Sequence, residues 1–226
     1  MKTVVFIPYW AEYSFPEESL NQRDTITLGG YSLIDYAVRI ADQVDAVDYS
    51  VVYASDEQVL DSIQNKNKCS FVRRDKDLDA QGVSIEQIIS RFLQTTDADM
   101  IVLMHPKNPF LKPSTVSTCI EKVQLGDFDS AFIASKARKL AWFKGEPLNY
   151  SLEKDVPGTS VIEPVLLETS SLYVFTRKLF ESVGRRVGAK PYIHEIGHFE
   201  GFEVDRPDDY AIAELIVNAG LEFNGA

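Results

Sequence analysis

The sequence contains only two cysteines, Cys69 and Cys119, far apart in the chain. They form no metal-binding or redox motif, so both are read as buried thiols. Long apolar runs are also missing. No stretch approaches the roughly 18 residues that suggest a membrane helix, so no span is expected. The opening residues Met1 to Pro8 offer too short an apolar stretch and no small-residue cleavage site for a secretory signal. They are expected to form a first strand, and the protein to be cytoplasmic. Positive charge is in deficit, with 23 Lys and Arg against 34 Asp and Glu and a net charge of −11. A nucleic-acid backbone needs a basic face, which argues against that partner, whereas a small anion held by a few local cations remains compatible. Glycine is absent from Tyr9 to Asp24, where Glu12, Glu17, Glu18 and Asp24 face Arg23 alone. Loops that cradle phosphate are usually glycine-rich, because backbone N–H groups must approach the oxygens. This loop is therefore no standard triphosphate cradle. No Walker or Gly-x-Ser-x-Gly sequence is present either.

What is present suits one domain. The chain has 226 residues, 45% of them hydrophobic, enough for a sizeable core. Apolar runs bounded by polar segments predict strands over Thr3 to Ile7, Tyr49 to Ala54, Ser70 to Arg73, Met100 to Met104, Ser130 to Ser135, Ser171 to Phe175 and Phe199 to Val204. Between them, apolar spacing near 3.6 predicts helices: one through Leu33, Ile34, Ala37, Val38 and Ala41, one beginning at Ser55-Asp56, and one from Val83 to Leu93. Others follow Pro113, span Lys178 to Val183 and open at Pro207. Strands alternating with helices predict an α/β fold with a doubly wound, mostly parallel, Rossmann-like sheet. The rhythm breaks over residues 139–168, which read as loops and hairpins carrying Trp142, Phe143, Leu148 and Tyr150. That segment is either a hairpin folded on its own core or a dimer contact.

The run Ile101 to Met104 reads as the central strand, opening abruptly into a loop with Pro106 and Pro109. Ligands of open α/β sheets bind outside the carboxyl ends of the strands. His105, Lys107 and Asn108 are therefore expected to face the site. Glu203 and Asp205, two apart on an extended segment, would point to one side and suit Mg2+. The alternative is a solvated strand end with Asp205 capping the Pro207 helix. Arg73 at a strand end could fork onto phosphate. Ser84, with Gln87 three residues later, is a capping-box N-cap, which is compatible with an anion site at the same helix terminus. His194, His198, Glu200 and Glu203 match no common zinc spacing.

Taken in register, several segments resemble the cytidylyltransferases of the CMP-sialic acid synthetase and CMP-Kdo synthetase type. Ile7-Pro8 resembles the family's Ile-Pro-Ala-Arg opening. Leu28-Gly-Gly-Tyr-Ser-Leu-Ile34 resembles Leu-Gly-Gly-Lys-Pro-Leu-Ile, and Val51-Val-Tyr-Ala-Ser-Asp56 resembles Val-Val-Ser-Thr-Asp. Leu103-Met-His-Pro-Lys-Asn-Pro-Phe110 resembles Leu-Leu-Gln-Pro-Thr-Ser-Pro-Leu. Glu168-Thr-Ser-Ser-Leu-Tyr173 resembles Glu-Asn-Gly-Ala-Ile-Tyr, and Phe202-Glu-Val-Asp205 resembles Ile-Asp-Ile-Asp. The spacing from Arg73 to Ser84 also follows the family.

The resemblance implies a single nucleotidyltransferase-like domain over residues 1–226, of the nucleotide-diphospho-sugar transferase type, with 139–168 as a small dimerisation or acceptor-side insertion. It implies transfer of CMP from CTP to an acidic sugar or related small acceptor, with release of pyrophosphate, in a homodimer serving surface-glycan synthesis. Asp205 falls on the metal aspartate and Glu203 on its companion, implying Mg2+. Pro8, Arg73, Gly82 and Ser84 fall on nucleotide-binding positions, and Arg23 with Asp24 on the pair closing the phosphate loop, which gives Arg23 a catalytic role beside Asp205. His105 and Asn108 would face the acceptor. The family's early arginine and lysine have no counterpart here, and its acceptor Arg-Gln pair is missing. Sialic acid is therefore not expected as the acceptor. The alternative is a diverged, non-catalytic member that binds a nucleotide or a sugar.

Overall fold

The computed structural model describes residues 1–10 and 27–220. Eleven strands are present among them: β1 (Thr3–Pro8), β2 (Thr27–Leu28), β3 (Tyr31–Ser32), β4 (Tyr49–Ala54), β5 (Cys69–Arg73), β6 (Met100–Met104), β7 (Ser130–Ala137), β8 (Trp142–Phe143), β9 (Glu146–Pro147), β10 (Val165–Thr176) and β11 (Pro191–Ile196). Five α-helices join them: α1 (Leu33–Asp42), α2 (Ile85–Thr95), α3 (Pro113–Gln124), α4 (Arg177–Val183) and α5 (Pro207–Asn218). Seven strands form the central sheet in the order β11-β7-β10-β6-β1-β4-β5. All neighbours are parallel except β10, which runs antiparallel to both β6 and β7.

Strand alternation divides the core into two layers. Val5 and Ile7 of β1 face α1 and α3 through Val38, Ala41, Val116 and Ile120. Val4 and Phe6 face α2 and α4 through Ile88, Phe92 and Phe180. Phe6 and Phe92 stack with ring centroids 4.1 Å apart, which ties β1 to α2. Both faces are covered, which is why these strands read as continuous apolar runs. A third, smaller cluster of Leu28, Leu33, Val204 and Ala213 attaches α5 to the β2–β3 hairpin. There Gly29 has φ +56° and a Cβ would meet Val217 Cγ1 at 2.5 Å, so only glycine fits.

Two expectations need correction. Residues 199–204 form no strand. Gly201 N donates to Gly197 O and Phe202 N to Phe199 O, so the chain turns there. The sheet edge is instead β11, whose mixed sequence Pro-Tyr-Ile-His-Glu-Ile lacks a clean apolar run, Ile193 being 38% exposed. The segment opening at Ser55-Asp56 is a short 3-10 turn over Glu57–Ser62, capped by Asp56. Among the cysteines, Cys119 is buried and Cys69 half-buried, both free. Burial pushes the Cys119 thiol up to about 12, with Glu200 adding to it, so it stays protonated near neutrality.

Residues 139–168 hold the β8–β9 hairpin, turned through Lys144 at φ 53° and Gly145 at φ 85°. Asn149 pins the segment by accepting from Ala141 N and donating to Lys139 O and Glu163 O. Trp142, Phe143, Leu148 and Leu152 nonetheless remain more than half exposed.

Candidate functional site

The carboxyl ends of β1, β4, β5 and β6 open on one side of the sheet, and the candidate site is built there. The β6 loop forms one flank. Its conformation is fixed by backbone and buried polar bonds. His105 N donates to Ser171 O at 3.0 Å, and Val204 N donates to Lys107 O at 2.8 Å. Asn108 is only 6% exposed, and both ends of its amide are engaged, Nδ2 donating to Glu200 O and Oδ1 accepting from Phe110 N. Asn108 therefore holds the loop against residues 199–204. The His105 ring lies parallel to Trp10, 15° between planes and 6.4 Å between centroids, at the exit of β1.

Glu203 and Asp205 meet on this flank, although no strand alternation places them. Lys107 Nζ lies 3.3 Å from Glu203 Oε2 and 3.4 Å from both Asp205 carboxylate oxygens. Ser171 Oγ donates to the other Glu203 oxygen. Asp205 does not cap α5. The N-cap is Arg206, and the Asp209 carboxylate accepts from Asp205 N and Arg206 N at 3.1 and 2.8 Å. The Asp205 carboxylate does not cap the helix and faces the lysine. Two carboxylates that share one ammonium converge on a single cation position. Their hard oxygen donors suit Mg2+, so these residues fit the ion that the sequence implies.

Glu200 is committed elsewhere. Its Oε1 accepts from Lys112 N at 3.2 Å and from Thr115 Oγ1 at 2.5 Å, closing the N-terminus of α3 with a carboxylate. His194 Nδ1 lies 3.2 Å from Tyr192 OH. Glu200 and His194, two of the four residues weighed as zinc ligands, are therefore held by separate partners.

The other flank is the end of β5 and the start of α2. Arg73 and Arg74 point opposite ways. The Arg74 side chain is fully buried, donating to Asp79, Tyr53 O and Tyr9 O, with its guanidinium 4.6 Å above the Trp10 ring. Burial lowers its pKa from the ordinary value, opposed by the Asp79 hydrogen bond and charge. Arg73 is 61% exposed at the rim, donating to Ser55 O and pairing with Glu57 at 3.1 Å. Gly82 is exposed at φ +93°. Ser84 caps α2 in a full capping box with Gln87, leaving the helix terminus facing solvent. Behind it Arg186 pairs with Glu86 at 2.5 Å and lies 4.4 Å over Tyr173, whose hydroxyl donates to Glu168.

Pro8 ends β1, paired with Tyr53 of β4. Arg23 and Asp24 lie outside the described residues. Ser171, Arg74 and Trp10 were missed by sequence reasoning, since their contacts join distant segments, whereas Asp209 was missed although it is the N3 residue of a local capping box on α5. No helix among the described residues is long and apolar enough to cross a membrane.

Comparison with known proteins agrees with this architecture. CMP:2-keto-3-deoxy-manno-octonic acid synthetase, solved in complex with CTP, superposes with a TM-score of 0.69 at 18% identity, covering 97% of this chain and 100% of its own. The 4-diphosphocytidyl-2C-methyl-D-erythritol synthase of Anaerococcus prevotii gives 0.66 at 11% identity, covering 96% of each chain. At these identities the likeness shows a shared nucleotidyltransferase fold. No curated protein sequence matches the chain. The sequence profile of one family does, over residues 20–211, most of the chain and both flanks of the crevice, and by that match the chain belongs to the cytidylyltransferase family.

Proposed function

We propose that the protein transfers a cytidylyl group from CTP to a small acidic acceptor, an acidic sugar or a related hydroxyl compound, releasing pyrophosphate. The observation that carries this reading is the convergence of Glu203 and Asp205 on one cation position, across the crevice from the open N-terminus of α2. The solved relative described with CTP bound supports the choice of nucleotide.

In the reaction, an acceptor oxygen attacks the α-phosphorus in line and the bond to the β-phosphate breaks. Glu203 and Asp205 would hold Mg2+, which when bound neutralises charge on the phosphates. Arg73 exchanges its exposed pairing with Glu57 for a phosphate oxygen. Gly82 presents its backbone N–H and Ser84 its hydroxyl to the nucleotide at the α2 terminus. His105, stacked on Trp10, takes the acceptor side, where it donates to or receives a proton from the acceptor hydroxyl. Asn108 holds the loop that carries His105 and Lys107. Pro8 and Arg23 are assigned to the nucleotide from the sequence resemblance. We also propose a homodimer through the exposed Trp142 and Phe143 surface, since exposed aromatics of this kind mark interfaces. Light scattering at micromolar concentration should give twice 25.4 kDa, and a single-chain mass would remove the dimer.

Calorimetric titration with CTP, ATP, GTP and UTP, each with Mg2+, tests the function. CTP should bind selectively, and Asp205→Asn should lower pyrophosphate release at least a hundredfold, several kcal/mol in the barrier. A loss well under tenfold would sink the reading. A second reading, nucleotide binding without turnover, is favoured by one observation: the Lys107 ammonium already spans the two carboxylates. It predicts CMP binding without pyrophosphate release.

A further inference from the structure

We propose that the Lys107 ammonium is a built-in competitor for the divalent-cation position, so that free metal binds weakly and the metal–triphosphate complex enters by exchange. In that exchange the ammonium leaves Glu203 and Asp205 and turns onto a phosphate oxygen. This last step rests on the cytidylyltransferase reading; the competition itself does not.

Three features carry the inference. First, the lysine lies inside the site. Its side chain is 13% exposed, against 19% for Glu203 and 42% for Asp205. Second, both partners are held in place independently of it. Ser171 fixes Glu203, Asp209 fixes the backbone of Asp205, and Val204 N binds Lys107 O, so the segment bearing the carboxylates is bonded to the loop bearing the lysine. The carboxylates are thus preorganised around a cation, whichever cation that is. Third, the ammonium is shared rather than tightly bound. Its distances of 3.3 and 3.4 Å exceed the roughly 2.7–2.9 Å of a tight charge-assisted bond, and the one ammonium is divided between two carboxylates. A divalent ion brings twice its charge to the same position. The lysine has a long flexible stem and three donors, so it can follow the charge to a phosphate a few ångströms away. Such a residue also adds a cation to a chain whose Tyr9–Asp24 segment carries Arg23 alone against four acidic residues.

The test is Mn2+ binding in the absence of nucleotide, read from the paramagnetic resonance of free Mn2+. Wild-type protein should bind weakly. Lys107→Met should gain one site at least tenfold tighter, and Lys107→Met with Asp205→Asn should lose it. Lys107→Gln, which keeps a polar side chain, should show the same gain and guards against misfolding of the methionine variant. Thermal unfolding should show Mn2+ stabilising both single variants more than wild type. Metal affinity in both variants no greater than in wild type overturns the proposal. A parallel CTP titration separates the two claims: tighter Mn2+ binding without CTP binding keeps the competition and removes the transferase reading, whereas CTP binding with unchanged Mn2+ affinity does the reverse.

Discussion

The two flanks of the crevice use the same materials in opposite ways. On the β6 side, charged and polar groups turn inward on one another: Lys107 on Glu203 and Asp205, Asn108 on Glu200 O, and Glu200 on the N-terminus of α3. On the β5 side, the N-terminus of α2 has only its own Ser84 and Gln87 for a cap, and Arg73 reaches into solvent. Helices α2 and α3 thus begin near one crevice, but the α3 terminus is closed by the Glu200 carboxylate, whereas Glu86 in the first turn of α2 is paired with Arg186. The inward flank already holds a cation of its own, the Lys107 ammonium. The outward flank keeps its donors available, as an anion site must. The neighbouring arginines condense the contrast, since Arg74 is structural and Arg73 is available.

The largest expected effect comes from breaking the structural half of that pair. Arg74 satisfies two buried carbonyls and a carboxylate across β1, β4 and the turn after β5. Arg74→Met should cost about 3–5 kcal/mol, because removing one partner of a buried pair leaves the others unsatisfied. Urea unfolding measures it, and a loss below about 1 kcal/mol would erase the distinction between the two arginines.

How much of this was legible in the sequence follows from the range of each interaction. The interior strands announced themselves, since Val4 to Ile7 and Met100 to Met104 are apolar on both faces. The α2 cap was also legible, because Ser84 and Gln87 are three residues apart. The edge strand β11 was not, because only Ile196 is fully buried and its alternation is weak. The site was legible only in part. Glu203, Asp205, Lys107 and His105 could be chosen as candidates, but the reason given for pairing the carboxylates, a strand at residues 199–204, was wrong. Lys107 brings them together from nearly a hundred residues away. Nothing local distinguishes Arg73 from Arg74 either. The choice is made by Tyr53 O of β4 and by Tyr9 O just past the end of β1.

An intermediate effect probes the wall behind the outward flank. Burial, and then the hydrogen bond with Glu168, raises the Tyr173 hydroxyl from 10.0 to about 12. The folded state therefore holds this proton more tightly than the unfolded chain does. Its contribution is fully present below pH 10 and is lost as pH rises toward 12, about 2–3 kcal/mol in all at roughly 1.4 kcal/mol per unit. Tyr173→Phe should remove that alkaline loss. Unfolding in urea at pH 9 and 11.5 compares the two proteins, with Cys119 titrating equally in both. An identical alkaline decline would show that Tyr173 does not sense its buried surroundings.

The smallest effect on stability, and the sharpest on the comparison, belongs to Arg73→Ala. The Arg73–Glu57 pair is 61% and 62% exposed, and such surface pairs contribute about 0–1 kcal/mol. Unfolding of Arg73→Ala should match wild type to within about 0.5 kcal/mol, the typical range for a surface substitution. Its affinity for CTP should fall about tenfold, since a charge-assisted bond to phosphate contributes about 1.5–3 kcal/mol. The two numbers must separate in this way because the guanidinium's present partners, Ser55 O and Glu57, lie at the exposed rim, where such bonds contribute little to stability. If instead stability falls and CTP affinity holds, Arg73 belongs with Arg74 as a structural group, and the outward flank has no phosphate-binding arginine at this position.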